Sequence, residues 1–176
     1  MEYREILPSP HLTSFVKCFW SLEYAASANS IPEPILPDGC FEIVFDLGDR
    51  FLRHYGSGRS ERQPVTIVAG QLRRGILIQS TGRVELFGIR FHPAGAFPFF
   101  NFSLSELTDK TENIDSIWGS EGREIEAKDR RFAKDVFADN AFSTASKIDR
   151  GRFRESFGPC SRFGLLRSGA YGPRVR

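Results

Sequence analysis

The chain has few of the residues that build metal, redox or disulfide sites: its 176 residues include three cysteines, three histidines and one methionine. Cys18, Cys40 and Cys160 are odd in number and far apart, which excludes a disulfide framework and a paired-cysteine zinc site and leaves buried, idle thiols as the expectation. His11, His54 and His92 are equally scattered. None stands in the close pair with a carboxylate that a cupin-type metal site presents, so neither a metal nor another cofactor is expected. No run of about 18 apolar residues is present to span a bilayer, and the first residues, MEYREILPSPHL, lack the basic-then-apolar order of a secretory signal. A cytoplasmic protein without a membrane partner is the expectation. G-x-S-x-G, a phosphate-binding glycine loop and H-E-x-x-H are all missing, so covalent hydrolysis, nucleotide binding and zinc proteolysis have no motif behind them. No catalytic residue is nominated.

What is present is a chain of one-domain size with 40% hydrophobic and 26% charged residues, 17 of them phenylalanine. The net charge of +2 is uneven. Residues 148–176 carry seven arginines against Asp149 and Glu155, a local +5, which leaves −3 for residues 1–147. The main body is therefore mildly acidic and not built to neutralise phosphates. Leucine occurs eleven times up to Trp118 and afterwards only at Leu165 and Leu166, while glycines break every later element. We expect three regions: a β-rich domain at 1–119, a helix at 120–139, and an Arg/Gly-rich disordered tail at 140–176.

Period-2 alternation is plainest in FEIVFDL, where Phe41, Ile43, Phe45 and Leu47 share one face and Glu42, Val44 and Asp46 the other, with Asp38-Gly39 and Gly48-Asp49 supplying turns. Residues 15–24 read as an aromatic and β-branched strand, residues 25–37 as a connection, and residues 51–55, 64–70 and 75–80 as weaker strands separated by the polar turn GSGRSERQ and a short turn at 72–74. Residues 83–91 carry apolar side chains on both faces, Phe87, Ile89 and Phe91 against Val84 and Leu86, which predicts a central, doubly covered strand entered from residues 75–80 by a Thr81-Gly82 hairpin. Pro93 stops that ladder and Pro98 limits the next helix to a turn. Ser103 with Glu106 fits a capping box over 104–107, and 115–118 reads as a further helical turn. The predicted fold is mainly β: a small jelly-roll or cupin-like barrel or sandwich with short C-terminal helices.

For binding, Trp20, Asp38, Glu42, Arg90 and His92 are the candidates. Asp38, Glu42 and Asp46 can aim carboxylates into a shared cavity, and Arg90 can grip an anionic group with two parallel N–H donors. The same alternation fits a solvated sheet face, which is the simpler reading. Trp20 and Phe19 fit an apolar pocket wall, although core packing explains them more simply in so phenylalanine-rich a chain. His92, at a strand end before Pro93, faces either a pocket or solvent. The tail RGRFRESFGPCSRFG superficially resembles a nucleic-acid-binding segment in interleaving arginine with phenylalanine.

Four segments in register, YREILPSPHLTSFVKCFWSLE, ILPDGCFEIVFDLGD, VAGQLRRGILIQSTGRVELFGIRFHPAGAFPFF and SLSELTDKTENIDSIWG, together resemble the N-terminal domain of one branch of AraC-type bacterial transcriptional regulators over about residues 3–119. The resemblance implies an effector-sensing or dimerisation domain, hence a small-molecule effector and a homodimer as partners, and no catalysis. In that family leucine-rich helices and paired helix-turn-helix units follow. Here the likeness ends after about Gly122, so a truncation or frame disruption before the DNA-binding half is expected, with no specific DNA binding by this chain. The alternatives are a stand-alone cupin-like protein that binds a small molecule or metal, and a degenerate gene product that folds poorly.

Overall fold

The computed structural model describes residues 1–138 apart from Ser9, His11 and residues 27–29; the expected tail at 140–176 lies outside the described residues. Among the described residues ten strands precede a helical span: β1 Glu2–Ile6, β2 Val16–Ala25, β3 Glu33–Ile35, β4 Phe41–Asp46, β5 Leu52–His54, β6 Ser60–Arg62, β7 Thr66–Ala69, β8 Ile76–Gln79, β9 Arg83–Phe91, β10 Thr111–Asn113 and α1 Ile114–Ala138. Six strands form one sheet in the order β1-β2-β9-β4-β7-β10, and the other four form a smaller sheet in the order β3-β8-β5-β6. Every pairing is antiparallel. The mainly β two-sheet fold expected from the alternation is what the chain adopts.

As expected, β9 sits at the centre of the large sheet, between β2 and β4, and is covered on both faces. On one face Phe87, Ile89 and Phe91 pack with Phe19, Phe41, Ile43, Phe45 and Val68. The chain after β9 closes over this face. Phe99, the last residue of the Phe97–Phe99 turn of 3₁₀ helix, and Phe100, which follows it, are buried there with Leu107 and with Ile114 at the start of α1. Phe100 makes an edge contact with Phe41 at 5.1 Å between ring centroids and stacks on Trp118 at 5.0 Å. Burying a side chain of this size stabilises the fold by roughly 1.5–3 kcal/mol, so this aromatic lid accounts for much of the cohesion on that side. On the other face Val84 and Leu86 pack with Cys18, Trp20 and Val44, and with Phe51 reaching across from the start of the small sheet. Cys18 and Cys40 are buried free thiols, as expected.

Several expectations fail for identifiable reasons. β1, β3, β6 and β10 went unread because they are three to five residues long and exposed or half-buried, with no apolar alternation to betray them. Residues 75–80 do not form a hairpin with β9. The chain changes sheets at Thr81-Gly82: Asp49 Oδ2 accepts the Arg83 N–H at 2.8 Å, and the Asp49 N–H donates to Arg83 O at 2.7 Å. That tie draws the start of β9 toward the end of β4, while β8 pairs with β3 and β5. The capping box is not formed either. Ser103 Oγ pairs with Ser105 Oγ at 2.7 Å, and residues Leu104–Leu107 make only a 3₁₀ turn, whose closing bond runs from the Glu106 N–H to Ser103 O. The helical turn read at 115–118 and the helix read from residue 120 do stand where the sequence put them, as two parts of one span, Ile114–Ala138, divided by a break at Gly119 (φ 57°, ψ −126°).

Candidate functional site

A cavity of about 380 Å³ lies between the two sheets. Its volume corresponds to about a dozen waters of liquid and falls in the range that small-molecule sites occupy. The large sheet supplies Trp20 and Leu22 from β2, Glu42, Val44 and Asp46 from β4, Ile67 from β7, and Leu86 and Arg90 from β9; the small sheet supplies Ile35, Ile76 and Ile78. In the large sheet these positions alternate along each strand with the residues of the phenylalanine core, so the same period that builds the core aims the remaining side chains into the cavity.

Four of the five residues singled out from sequence, Trp20, Asp38, Glu42 and Arg90, line this cavity together with Asp46. The reading of the Glu42/Asp46/Arg90 set as a solvated sheet face is thereby corrected. The small sheet covers that face, and half of its strands were too short and polar to be read. His92 stands apart. Its N–H donates to Phe15 O at 2.9 Å and its carbonyl accepts the Gly95 N–H at 2.7 Å, which fixes the backbone just beyond β9 and outside the cavity wall. His54 is also elsewhere, hydrogen-bonded between Ser60 Oγ at 2.7 Å and Gln79 Oε1 at 2.8 Å.

Arg90 organises the polar end of the cavity. Its Nε donates to Glu42 Oε1 at 2.5 Å, and Glu5 and Asp38 stand 3.8 and 3.9 Å away. Register explains the grouping, because Glu42 lies directly opposite Arg90 on the neighbouring strand. Asp38 is held in place by its own turn: its Oδ1 accepts the Cys40 N–H at 2.9 Å, and Gly39 takes the left-handed conformation (φ 72°) that closes the bend. Burial pushes the Glu42 carboxyl above its ordinary pKa while Arg90 pulls it back. Burial likewise works against the Arg90 charge, but Glu42 and the surrounding groups outweigh it and the guanidinium is held more firmly protonated than usual. The pair is therefore mutually dependent.

Trp20 spreads across the middle of the sheet. Directly opposite it on β9 is Gly88, where a Cβ would fall 2.1 Å from Cε2 and 2.3 Å from Nε1 of the indole. The missing side chain is what lets the ring lie flat over β9 toward β4. Arg90 sits over this ring, 5.9 Å from its centroid, and Tyr3 tilts against it at 6.4 Å. The Trp20 indole N–H is buried without a partner at bonding distance, although it is near enough to Glu42 to favour the carboxylate slightly. Tyr3 and Glu5 were missed by sequence reasoning because the strand that carries them is mostly exposed and half polar. Burial and the hydrogen bond that the Tyr3 hydroxyl donates to Glu5 raise that hydroxyl to about 12. The readable signal at this site was Gly88, a lone glycine inside a strand pattern, which marks a close approach.

Among the described residues no three or more His, Cys, Asp and Glu side chains gather as a metal site, and no helix is long and apolar enough to cross a membrane. No curated protein matches the sequence. One solved structure, described as the crystal structure of FeII HppE, is similar over 51% of this chain and 48% of that chain, with 11% identity and a TM-score of 0.38. A likeness of that size carries neither fold nor chemistry across. The family model of a domain of unknown function, DUF6597, matches residues 4–113, the span that builds both sheets and the cavity, and the chain belongs to this family.

Proposed function

We propose that this chain binds a small molecule between its two sheets and is the effector-sensing domain of an AraC-type transcriptional regulator. The observation that carries the binding half is the cavity itself, with mostly apolar walls and a compact polar group at one end. An apolar enclosure supplies affinity, and a few fixed polar groups supply orientation. On this reading Trp20, Asp38, Glu42 and Arg90 contact the ligand, whereas His92 does not. The regulator half rests on the four-segment resemblance over residues 3–119, which spans the same stretch as the family match. Fold alone does not fix function, so the two halves are tested separately.

For the first, a thermal-shift screen of small metabolites is expected to yield compounds that raise the melting temperature of the intact chain, with the gain abolished by Ile78→Trp, which fills the cavity from its small-sheet wall. Hits whose effect survives that change, or no hits at all, would refute the site. For the second, the downstream DNA is read in the other two frames. Sequence encoding helix-turn-helix units supports a regulator, and its absence removes that context while leaving the binding site standing. A homodimer is the expected assembly, and sedimentation at micromolar protein showing only monomer would overturn it.

A further inference from the structure

The charge pattern of the cavity points to the class of its ligand, given the binding reading above. Four carboxylates line it, Glu33, Asp38, Glu42 and Asp46, against one guanidinium, Arg90. That one cation is already engaged by Glu42 at 2.5 Å, with Glu5 and Asp38 within 4 Å. An anionic ligand would have to displace Glu42 from Arg90 and then sit among the remaining carboxylates. A cation meets the opposite field. Glu42 and Asp46 are four residues apart on β4, so Asp46, whose Oδ1 accepts the Gly48 N–H at 3.2 Å, adds its negative charge about 13 Å along the wall from the polar group around Arg90.

A further observation agrees. The walls include Tyr3, Trp20, Tyr24 and Phe51, and the ring of Trp20 already holds one cation, Arg90, at 5.9 Å. Aromatic faces among carboxylates are the chemistry that recognises ammonium groups. We propose that the cavity takes a protonated amine carried on an apolar body. The ammonium sits among the carboxylates, and the body fills the apolar region between the sheets.

Three probes with a common phenylcarbinol skeleton isolate the charge: 2-amino-1-phenylethanol (cation), 1-phenylethanol (neutral) and mandelate (anion). The intact chain is titrated with each by calorimetry and by the indole N–H resonances of its two tryptophans, assigned with a Trp118→Phe variant. The aminoalcohol is expected to bind about tenfold more tightly than mandelate and to shift the Trp20 resonance, from the combined size of exposed ion-pair and cation–π effects. Asp38→Asn retains the oxygen that takes the Cys40 N–H and should weaken the aminoalcohol about two- to fivefold, more than it weakens 1-phenylethanol. Mandelate binding as well as the aminoalcohol overturns the assignment. Binding of 1-phenylethanol as tight as the aminoalcohol overturns it too, but leaves the cavity as a binding site. No shift with any of the three, up to millimolar concentrations, overturns both.

Discussion

Replacing Gly88 with alanine tests the packing that shapes the cavity wall. Two terms oppose each other. Alanine loses less backbone entropy than glycine on folding, which favours Gly88→Ala by about 0.5–1 kcal/mol. Against this, the new methyl would lie 2.1, 2.3 and 2.4 Å from three atoms of the Trp20 ring, well inside contact distance. The ring is flat, stiff and only 7% exposed, so it must tilt as a body away from β9. Overpacking of this kind costs about 1–3 kcal/mol, and contacts this short put the cost in the upper half of that range. The net loss is about 1–2.5 kcal/mol, equivalent to a fall of about 2–10 °C in melting temperature for a domain of this size. Urea unfolding at constant m-value measures it. The decisive comparison is with the same change in a Trp20→Leu background, where the clash is gone and only the entropy term remains. There Gly88→Ala should be neutral or stabilising by up to about 1 kcal/mol, a coupling of at least about 1 kcal/mol between two touching residues. Equal costs in the two backgrounds would refute the claim that Gly88 exists to seat Trp20.

Further perturbations have equally definite outcomes. Gly70→Ala should cost more than Gly88→Ala, about 3 kcal/mol or more by chemical denaturation, because its Cβ would lie 1.8 Å from the backbone oxygen of Leu107 and no side chain can move out of the way; a smaller loss than Gly88→Ala would contradict this. Ala94→Gly should stabilise by up to about 1 kcal/mol in the same assay, since Ala94 is exposed and held at φ 61°, a conformation that penalises a Cβ; a clear loss of stability would count against it. Arg90→Met should cost about 2–4 kcal/mol at pH 7.5, somewhat less than a fully buried pair because the two side chains are 24% and 20% exposed. The deficit should shrink on acidification. Burial already raises the Glu42 carboxyl, and removing Arg90 lets it rise further. A carboxyl with a raised folded pKa binds more protons folded than unfolded, so stability falls as pH climbs above the unfolded value near 4.3 and is regained below it. A deficit unchanged between pH 7.5 and pH 4 would show that lost packing, not an uncompensated charge, is the cause.

How far the sequence reveals this site depends on which surface each residue faces. Phe41, Ile43, Phe45, Phe87, Ile89 and Phe91 were legible because a buried face must be apolar, and a period of two then repeats in the chain. The opposite face of the same strands holds Glu42, Asp46 and Arg90 beside Val44 and Leu86, a mixture that fits open water as well as a cavity with polar anchors. Only the covering sheet distinguishes the two, and that sheet includes β3 and β6, three residues each and largely exposed. Short strands of this kind are held by long-range pairing and not by local preference, and their sequences carry almost no periodic signal. The route between the sheets was hidden for a related reason. Thr81-Gly82 has the chemistry of a tight turn, yet its outcome is decided by Asp49, more than thirty residues earlier, which captures the Arg83 N–H and steers the chain into the large sheet. Gly88 carried a local signal that went unread. A glycine at the centre of an otherwise apolar strand is costly unless something occupies its space, and the cross-strand partner in this register is Trp20. Once β2 and β9 are paired, that single glycine places the indole over the sheet, with its ring under Arg90 and its N–H toward Glu42. The candidate site was therefore legible in its residues and hidden in its enclosure, because charge and aromatic content are local properties while the second wall comes from chain pairings that no short window contains.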